Sequence, residues 1–575
     1  MSDLDIAVPA QAPAGDPAFD EALLLQRQGN APAAERLYHA ILTRNPDHAG
    51  ALHQLSLLCL GRDELEEAAR LLRRWIAREP NVAGAHNNLG IALKRLDRPA
   101  EAVAHFEKAI ELEPNRSETH YNLGRAQQLL GRLAEARECY ERAIALRPDH
   151  ADANNALAVL LAPTDAEQAL TCFRRAIAAR PAFAEGHNNM GILLHALGRH
   201  EEAVASYRRA LAIKPDHADA HNNLGLSLRD LNRHEESLRC FDLAQAIEPG
   251  HVDAHVNEAL VRLALGDYAA GWKEYVWRLH TENFSKGKKR PAQPLWLHQW
   301  DISGRTILLH GEQGLGDTIQ FARFVPRVAA LGAKVILAVQ RPLTDLMAGL
   351  AGVSVIRGQG DPVPPFDAFC PLPSLPLAFQ TTLATIPADM PYLSVPPDRL
   401  AKWRAVLDGL ARPRIGLMWT RGGSPQDRRS LPLRLLLPLL ERRDVQFVAL
   451  QKELPDGEVA LLQSTGVPSF LGERLADLAD TAAIIAMLDL VITIDTSIAH
   501  VAGALGKPMW VLLPFSADWR WLRDRSDSPW YPTARLFRQL APGDWQSVVR
   551  QVAEALRQYS EKTTPVFAKD HVQTD

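Results

Sequence analysis

The sequence has few cysteines, and none of them forms a CxxC pair. Only five occur in 575 residues. Four of the five fall in the helix-forming first half of the chain, where a small apolar side chain packs well. This usage is typical of a reducing compartment, and we expect a cytoplasmic protein.

A strong excess of charge is also lacking. The formal net charge is −4, so no protein-wide field would gather nucleic acid or an anionic membrane, and a phosphate-bearing ligand must be bound locally. No run reaches the roughly 18 apolar residues of a membrane span, and the N-terminus has acids and prolines where a signal peptide needs basic and apolar regions. We predict no nucleic-acid partner and no membrane span, with disordered tails at residues 1–17 and 561–575.

What the first half has instead is a 34-residue period. The segment HNNLGIALKRLDRPAEAVAHFEKAIELEPN from His86 recurs, with changes, from His120, His187 and His221. Each copy has an apolar helix, a short turn, a second helix with Ala and Phe or Tyr at fixed offsets, and a proline. These features resemble the tetratricopeptide repeat, which implies an α solenoid over residues 18–280. The unit at 154–186 has lost one residue, which should shorten the turn between its helices.

One column of side chains repeats along the first helices of these units. The same position holds Gln54, Asn88, Asn122, Ala156, Asn189, Asn223 and Asn257. An amide has both a donor and an acceptor, so such a column can bind the backbone of an extended peptide. It resembles the asparagine ladder of the nucleocytoplasmic O-GlcNAc transferases, which implies that the asparagines hold an acceptor protein. The alternative is that they bond neighbouring helices. The recurring His86, His187 and His221 lack further ligands at metal spacing, and we expect them to pack on helix surfaces.

The second half of the chain changes character. A linker at 281–302, with a basic run at Lys286 to Arg290, leads into short apolar runs that alternate with helical stretches. The runs are TILLH, KVILAV, VSVIRG and AFCPL, then, after a Pro-rich gap, RIGLMW, VQFVAL, LVITID and MWVLLP. Such alternation predicts parallel sheets flanked by helices, here in two Rossmann-like lobes at 303–400 and 401–560. Ligands of such sheets bind beyond the carboxyl ends of the strands, so the expected site is the cleft between the lobes.

Three segments of the second half carry residues suited to chemistry. GEQGLGD follows the first strand and ends at Asp317, with Glu312, Gln313, Gly314 and Gly316 expected to line the cleft. GLMWTRGGSPQDRRS contains Trp419, Arg428 and Arg429. DTSIAH brings Asp495, Thr496 and Ser497 to the start of a helix, with His500 one turn in. A capped helix N-terminus suits a pyrophosphate, and arginines can add bidentate contacts.

In this order the three segments resemble the two-lobed GT-B glycosyltransferases of the heptosyltransferase type, in bacterial proteins that join such a domain to tetratricopeptide repeats. The resemblance implies that Asp317 is the base of an inverting transfer. It implies donor binding by the C-terminal lobe, through Asp495, Thr496, Ser497, His500, Arg428, Arg429 and Trp419. No DxD motif occurs at a strand end, so we expect neither a metal nor another cofactor, and a nucleotide sugar as the donor.

Two alternatives concern single residues of this region. Asp317 would also fit as a cap of its own helix. Trp519, Trp521 and Trp530 can stack on a base, but they also fit the packing of the core.

The leading hypothesis is a protein O-glycosyltransferase whose repeats hold a polypeptide while the GT-B lobes transfer sugar to its Ser or Thr. Flagellin is one acceptor that the resemblance suggests. A second hypothesis is a glycan or lipopolysaccharide transferase that the repeats recruit to a complex. A third is a non-catalytic scaffold.

Overall fold

The computed structural model describes residues 16–281, 291–421, 427–469 and 474–563. The chain forms two compact units, one ending at Asp216 and the other beginning at His217. The seventh repeat and the capping helices therefore belong to the same unit as the α/β region. The predicted basic run at Lys286 to Arg290 and most of both predicted tails lie outside the described residues.

The first unit consists of paired antiparallel helices, as the repeat predicts. Its helices are α1 (Pro17–Arg27), α2 (Ala31–Arg44), α3 (Ala49–Gly61), α4 (Leu65–Arg78), α5 (Ala83–Arg95), α6 (Pro99–Leu112), α7 (Ser117–Leu129), α8 (Leu133–Leu146), α9 (Ala151–Leu161), α10 (Ala166–Ala179), α11 (Ala184–Ala196) and α12 (His200–Ile213). Small and aromatic residues fit against each other within each pair. A Cβ atom on Gly90 would lie 2.6 Å from the ring of Phe106, and one on Gly124 would lie 2.6 Å from that of Tyr140. This close fit explains why glycine and an aromatic residue recur together.

The shortened repeat differs from the prediction. The first helix of this repeat is the part that is shortened, because α9 has 11 residues whereas α5, the first helix of the third repeat, has 13. The turn is longer instead: residues 162–165 separate α9 from α10, whereas 96–98 separate α5 from α6. Pro163 has no N–H to donate to a helical hydrogen bond, so α9 ends shortly before it. Asp165 then caps α10 by accepting a hydrogen bond from the Gln168 N–H at 3.0 Å.

The second unit begins with helices and continues as two parallel sheets. The helices α13 (Ala218–Asp230), α14 (His234–Ile247), α15 (Val252–Ala264) and α16 (Tyr268–Tyr275) end in a 3₁₀ turn. The first sheet contains β1 (Thr306–His310), β2 (Lys334–Val339), β3 (Val353–Gly358) and β4 (Ala368–Pro371) in the order β3-β2-β1-β4. The second contains β5 (Arg414–Met418), β6 (Gln446–Ala449), β7 (Leu490–Ile494), β8 (Met509–Leu513) and β9 (Ala534–Arg538) in the order β6-β5-β7-β8-β9.

The eight apolar runs all form strands, so the predicted fold class is confirmed: an α solenoid followed by two parallel-sheet lobes consistent with a GT-B-like fold. The ninth strand, β9, begins and ends beside charged residues and lacks the apolar run that marks the others. The helices of this region are α17 (Leu315–Ala322), α18 (Val325–Ala330), α19 (Thr344–Met347), α20 (Leu375–Ala378), α21 (Pro397–Leu407), α22 (Leu433–Leu440), α23 (Asp456–Ser464), α24 (Leu478–Ala486), α25 (Ser497–Ala504) and α26 (Trp545–Thr563).

An aromatic cluster packs the capping helix α16 against the α/β region. The indole N–H of Trp530 donates to the hydroxyl of Tyr268 at 2.7 Å, and that of Trp272 donates to the Thr381 carbonyl at 3.1 Å. Trp519, Trp521 and Trp530 are at most 4% exposed. These tryptophans therefore belong to the core, which agrees with the packing alternative rather than with base stacking.

Among the described residues, no helix has both the length and the apolar character needed to cross a membrane.

Candidate functional site

The carboxyl ends of β5, β7 and β8 meet at one edge of the second sheet, because these strands are neighbours and parallel. The loop after β5 carries the predicted arginines, the loop after β7 carries Asp495 and Thr496, and the loop after β8 carries a further charged segment. Ligands of open parallel sheets bind at this edge.

The start of α25 has the predicted cap. Thr496 is extended, and its hydroxyl accepts a hydrogen bond from the Ile498 N–H at 3.3 Å. Both Thr496 and Ser497 are half-buried, so this helix start remains partly open. The positive end of the helix dipole at such a start favours an anion.

Asp317 lies in the first turn of α17, which follows β1 of the other sheet. Its Oδ2 accepts a hydrogen bond from the Gly314 N–H at 2.9 Å, so it does cap its own helix, from the third position. Its Oδ1 is paired with the guanidinium of Arg520, which comes from the loop after β8. One carboxylate therefore serves both the helix and a contact with the second lobe.

Arg520 is the residue that sequence analysis missed. Its Nη1 donates to Asp518 Oδ1 at 2.7 Å and its Nε to Gln320 Oε1 at 2.5 Å, while its guanidinium lies 4.7 Å from the Trp519 ring centre. Burial opposes the charge of Arg520, but Asp317 and Asp518 outweigh it and hold the pKa of Arg520 above its ordinary value. The sequence signal is an arginine between two tryptophans shortly after a buried strand.

Asp495 and His500 are buried, and both lie close enough to this ion pair to feel the charge of Arg520. Burial, followed by the charge of Asp518, raises the pKa of Asp495 to about 7. Burial, followed by the charge of Arg520, lowers the pKa of His500 well below its ordinary value. The neutral His500 imidazole contacts the hydroxyl of Tyr531 through Nδ1 at 2.8 Å.

Gly316 allows α17 and α25 to approach each other closely. A Cβ atom at this position would lie 2.5 Å from Cδ2 of His500. A larger residue would therefore push apart the two helices that carry Asp317 and Ser497.

Replacing Asp495 by asparagine should change how stability depends on pH. The pKa of Asp495 is raised on folding, so its stabilising contribution is present at low pH and is lost as pH rises through about 7. Asparagine cannot ionise. The thermal midpoint of the variant relative to the wild type should therefore rise between about pH 4 and pH 7, where Asp495 ionises in the unfolded chain before it does in the folded one, with a free-energy change of at most about 4 kcal/mol. The exposed Asp524→Asn is the control, and parallel profiles for Asp495→Asn and wild type would contradict the prediction.

The remaining cleft residues divide into exposed and buried positions. Gln313 and Gly314 are exposed, and the hydroxyl of Tyr275 donates to Gln313 Oε1 at 3.0 Å. The carboxylate of Glu312 points inward, where it accepts a hydrogen bond from Arg278 Nε at 2.5 Å. Glu312 therefore ties the capping region to the loop after β1, and it does not line an open cleft.

Three predicted donor ligands have other partners. Arg428 lies 3.4 Å from Asp230 of α13, and Arg429 lies 3.3 Å from Asp427. Trp419 is fully buried, and its indole N–H donates to Glu458 Oε2 at 2.8 Å. The prediction for Trp419 therefore needs correction, because β5 ends by turning this ring into the core.

Three side chains of the asparagine column form hydrogen bonds to a neighbouring first helix. Asn122 Nδ2 donates to Asn87 Oδ1 at 3.3 Å, and Asn189 Nδ2 donates to Asn155 Oδ1 at 3.2 Å. In the second unit Asn257 donates to Asn222 in the same way, at 3.0 Å. These bonds support the alternative that the amides join neighbouring first helices.

Burial separates the members of the column from one another. Asn88 and Asn122 are fully buried and cannot contact a peptide, which corrects the prediction for these two residues. Asn189, Asn223 and Asn257 are half-buried and can still be reached.

Comparison with known families agrees with the repeat pattern. Models described as "Tetratricopeptide repeat" match residues 25–89, 81–149 and 218–251, and one described as "TPR repeat" matches residues 193–229. Residues 17–280 form a tetratricopeptide-repeat region. An α/β region with two parallel sheets follows it.

A curated relative of this tetratricopeptide-repeat protein is Protein FlbA of Caulobacter vibrioides, which is 30% identical over 328 residues. The match covers 52% of this chain and 54% of FlbA, so it spans about half the length of each.

Solved structures resemble part of the chain. The Cut9-Hcn1 assembly of APC/C is 17% identical with a TM-score of 0.38, covering 43% of this chain and 49% of that chain. PilF of Pseudomonas aeruginosa is 19% identical with a TM-score of 0.34, covering 37% of this chain and 96% of that chain.

Proposed function

We propose that this protein is an inverting GT-B glycosyltransferase that transfers sugar from a nucleotide sugar to a Ser or Thr of a polypeptide. The observation that carries the proposal is the contact of Asp317, in the first turn of α17, with Arg520 from the loop after β8, next to the packing of α17 on α25 at Gly316 and His500. The proposed base on one lobe thus belongs to a helix that packs on α25, whose start we propose as the anion site.

In the proposed reaction the Asp317 carboxylate accepts the proton of the acceptor hydroxyl. The hydroxyl oxygen attacks the anomeric carbon while the bond from that carbon to the diphosphate oxygen breaks. The nucleoside diphosphate leaves with the bonding electrons, and the configuration at the sugar inverts. Asp317 is accessible enough for this role, since 18% of its side chain is exposed.

The leaving group needs positive charge at the moment it departs. The N-terminus of α25 supplies its dipole, and Arg520 can bind phosphate oxygens with its planar fork. Because the pKa of Asp495 is raised, this carboxyl is only partly charged near neutral pH, which reduces its repulsion of an anionic donor. Protein groups therefore provide the charge stabilisation that we propose, and no metal or other cofactor is part of the proposal.

The tetratricopeptide region suits a polypeptide acceptor, of which flagellin is one example. Among the predicted contacts, Asn189, Asn223 and Asn257 remain accessible, and we propose them as peptide ligands. Each amide can pair with one backbone N–H or carbonyl at about 1 kcal/mol, independently of the peptide's side chains.

The test is to incubate the full chain with UDP-, GDP-, ADP- and CMP-sugars and follow its thermal midpoint. Sugars of one nucleotide class should raise the thermal midpoint. At a 100-fold excess of ligand over Kd, the free energy of unfolding should rise by about 2.7 kcal/mol. The matching sugar should then add its mass to an acceptor protein, equally well in EDTA. The Ser497→Trp variant, which blocks the helix start, should lose the shift. If no nucleotide sugar shifts the wild type, the proposal fails.

A further inference from the structure

A cavity of about 300 Å³ lies between the fifth and sixth repeats, in the first unit. Residues of α10, α11 and α12 line it, so it lies between two second helices and the first helix that separates them. Its apolar lining is formed by Leu170, Ile177, Met190 and Leu194. The volume is at the lower end of the range of ligand pockets and suits one or two side chains of a partner.

A buried histidine in the cavity wall has an unused nitrogen. His187 is 4% exposed, and its Nδ1 has no hydrogen-bond partner among the described residues. Two histidines at the first position of other repeats have one. His86 Nδ1 lies 3.1 Å from His105 Nδ1, and His255 Nδ1 lies 2.6 Å from Glu274 Oε2. Buried polar atoms are normally paired, so the Nδ1 of His187 marks a position for an outside partner.

His187 differs from His86 and His255 because of the residue at the twentieth position of its repeat, counted from the histidine as the first. This position holds His105 and Glu274 in the repeats that begin at His86 and His255, and it holds Ser206 in the repeat that begins at His187. Serine is too short to reach across as the longer side chains do. The Nδ1 of His187 is therefore left without the partner that this position provides to His86 and His255.

The rim of the cavity is positively charged. Arg174 and Arg209 line it and are exposed, and within the described ranges neither forms an ion pair. The one acidic lining residue, Glu202, already accepts hydrogen bonds from Nε and Nη2 of its neighbour Arg199, at 2.6 and 2.7 Å. The rim therefore has two cations available for a carboxylate.

The cavity uses a different face of α11 from the asparagine column. His187, Met190 and Leu194 follow each other at spacings of three and four residues, which places them on one side of the helix. Asn189 is turned by about 200° from His187 and bonds to α9. A ligand in the cavity would thus leave the Asn189 contact intact.

We propose that this cavity binds a peptide segment in which an apolar side chain is flanked by acidic residues. The apolar side chain fills the space lined by Leu170, Ile177, Met190 and Leu194. A flanking carboxylate pairs with Arg174 or Arg209, and a peptide donor or carboxyl group reaches the Nδ1 of His187. The proposal does not depend on the transferase activity.

Fluorescence anisotropy of the full chain with a labelled peptide tests this inference. The probe is a short peptide with leucine flanked by aspartates, compared with the same peptide carrying lysines in place of the aspartates. Only the aspartate peptide should bind, and Arg174→Glu combined with Arg209→Glu should weaken its binding by roughly tenfold or more. The matched control is Arg73→Glu combined with Lys108→Glu, which makes the same charge change at the corresponding helix positions of the second and third repeats.

A second variant tests the His187 contact without changing the charged rim. Ser206→His places at the twentieth position the side chain that His86 meets in its own repeat, so it should fold and occupy the Nδ1 of His187 from within the protein. Binding of the aspartate peptide should then be lost, while the thermal midpoint stays at or above that of the wild type. No binding to the wild type, equal binding of the two peptides, or unchanged binding to a folded Ser206→His protein would each overturn the proposal.

Discussion

An Asp317→Asn variant is expected to transfer sugar about 10²- to 10⁴-fold more slowly than the wild type, which is the usual contribution of a general base. Its amide oxygen can still accept the hydrogen bond from the Gly314 N–H that Asp317 Oδ2 accepts at 2.9 Å. The start of α17 should therefore stay folded, and the nucleotide sugar should still raise the thermal midpoint. Initial rates at saturating donor, with the thermal shift measured in parallel, separate loss of chemistry from loss of binding.

The matched control for this variant is Asp518→Asn. Asp518 is the other carboxylate on Arg520, with Oδ1 2.7 Å from Nη1, but it does not come from the lobe that carries Asp317. If the loss in Asp317→Asn came only from freeing Arg520, Asp518→Asn would lose activity to a similar degree. Wild-type transfer by Asp317→Asn would remove Asp317 as the base and leave the proposed donor site standing.

Replacing Arg520 by leucine should have the largest effect on stability and on donor binding together. The side chain of Arg520 is 11% exposed and pairs with Asp317 and Asp518. Removing one partner of a largely buried ion pair leaves the other charges uncompensated, at a cost of about 3 kcal/mol. The thermal midpoint should fall, and the shift produced by the nucleotide sugar should disappear.

Two further variants make the Arg520 result specific. Arg520→Lys keeps the charge but loses the planar fork, so it should recover most of the stability and only part of the donor binding. Arg523→Gln removes an arginine from the same loop whose pair with Asp524 is exposed, and it should change neither quantity measurably. A full donor-induced shift in Arg520→Leu would exclude Arg520 as a phosphate ligand.

The repeats and the strands could be predicted because their signals are local. The pairing of Gly90 with Phe106 follows from a fixed spacing within one unit, and each apolar run in the second half is long enough to be a buried strand. The cap at Thr496 was also readable, because a capping residue directly after a strand and before a helix needs no distant partner.

Side chains whose role depends on a distant partner could not be predicted in this way. Arg520 meets Asp317 across 203 positions of sequence, and nothing near either residue signals the pairing. Trp419 and Asn122 look like binding residues in the sequence, yet both are fully buried.

The sequence by itself therefore determined the repeat, the strand order along the chain and the residues at the strand ends, since hydrophobic periodicity and capping act over a few residues. Only the tertiary structure decided which of those residues meet. It brought Arg520 to Asp317, turned the asparagines toward neighbouring helices and left His187 beside an open space. Each of these outcomes depends on charges and packing volumes from segments far apart in the chain, and that information is absent from any short stretch of sequence.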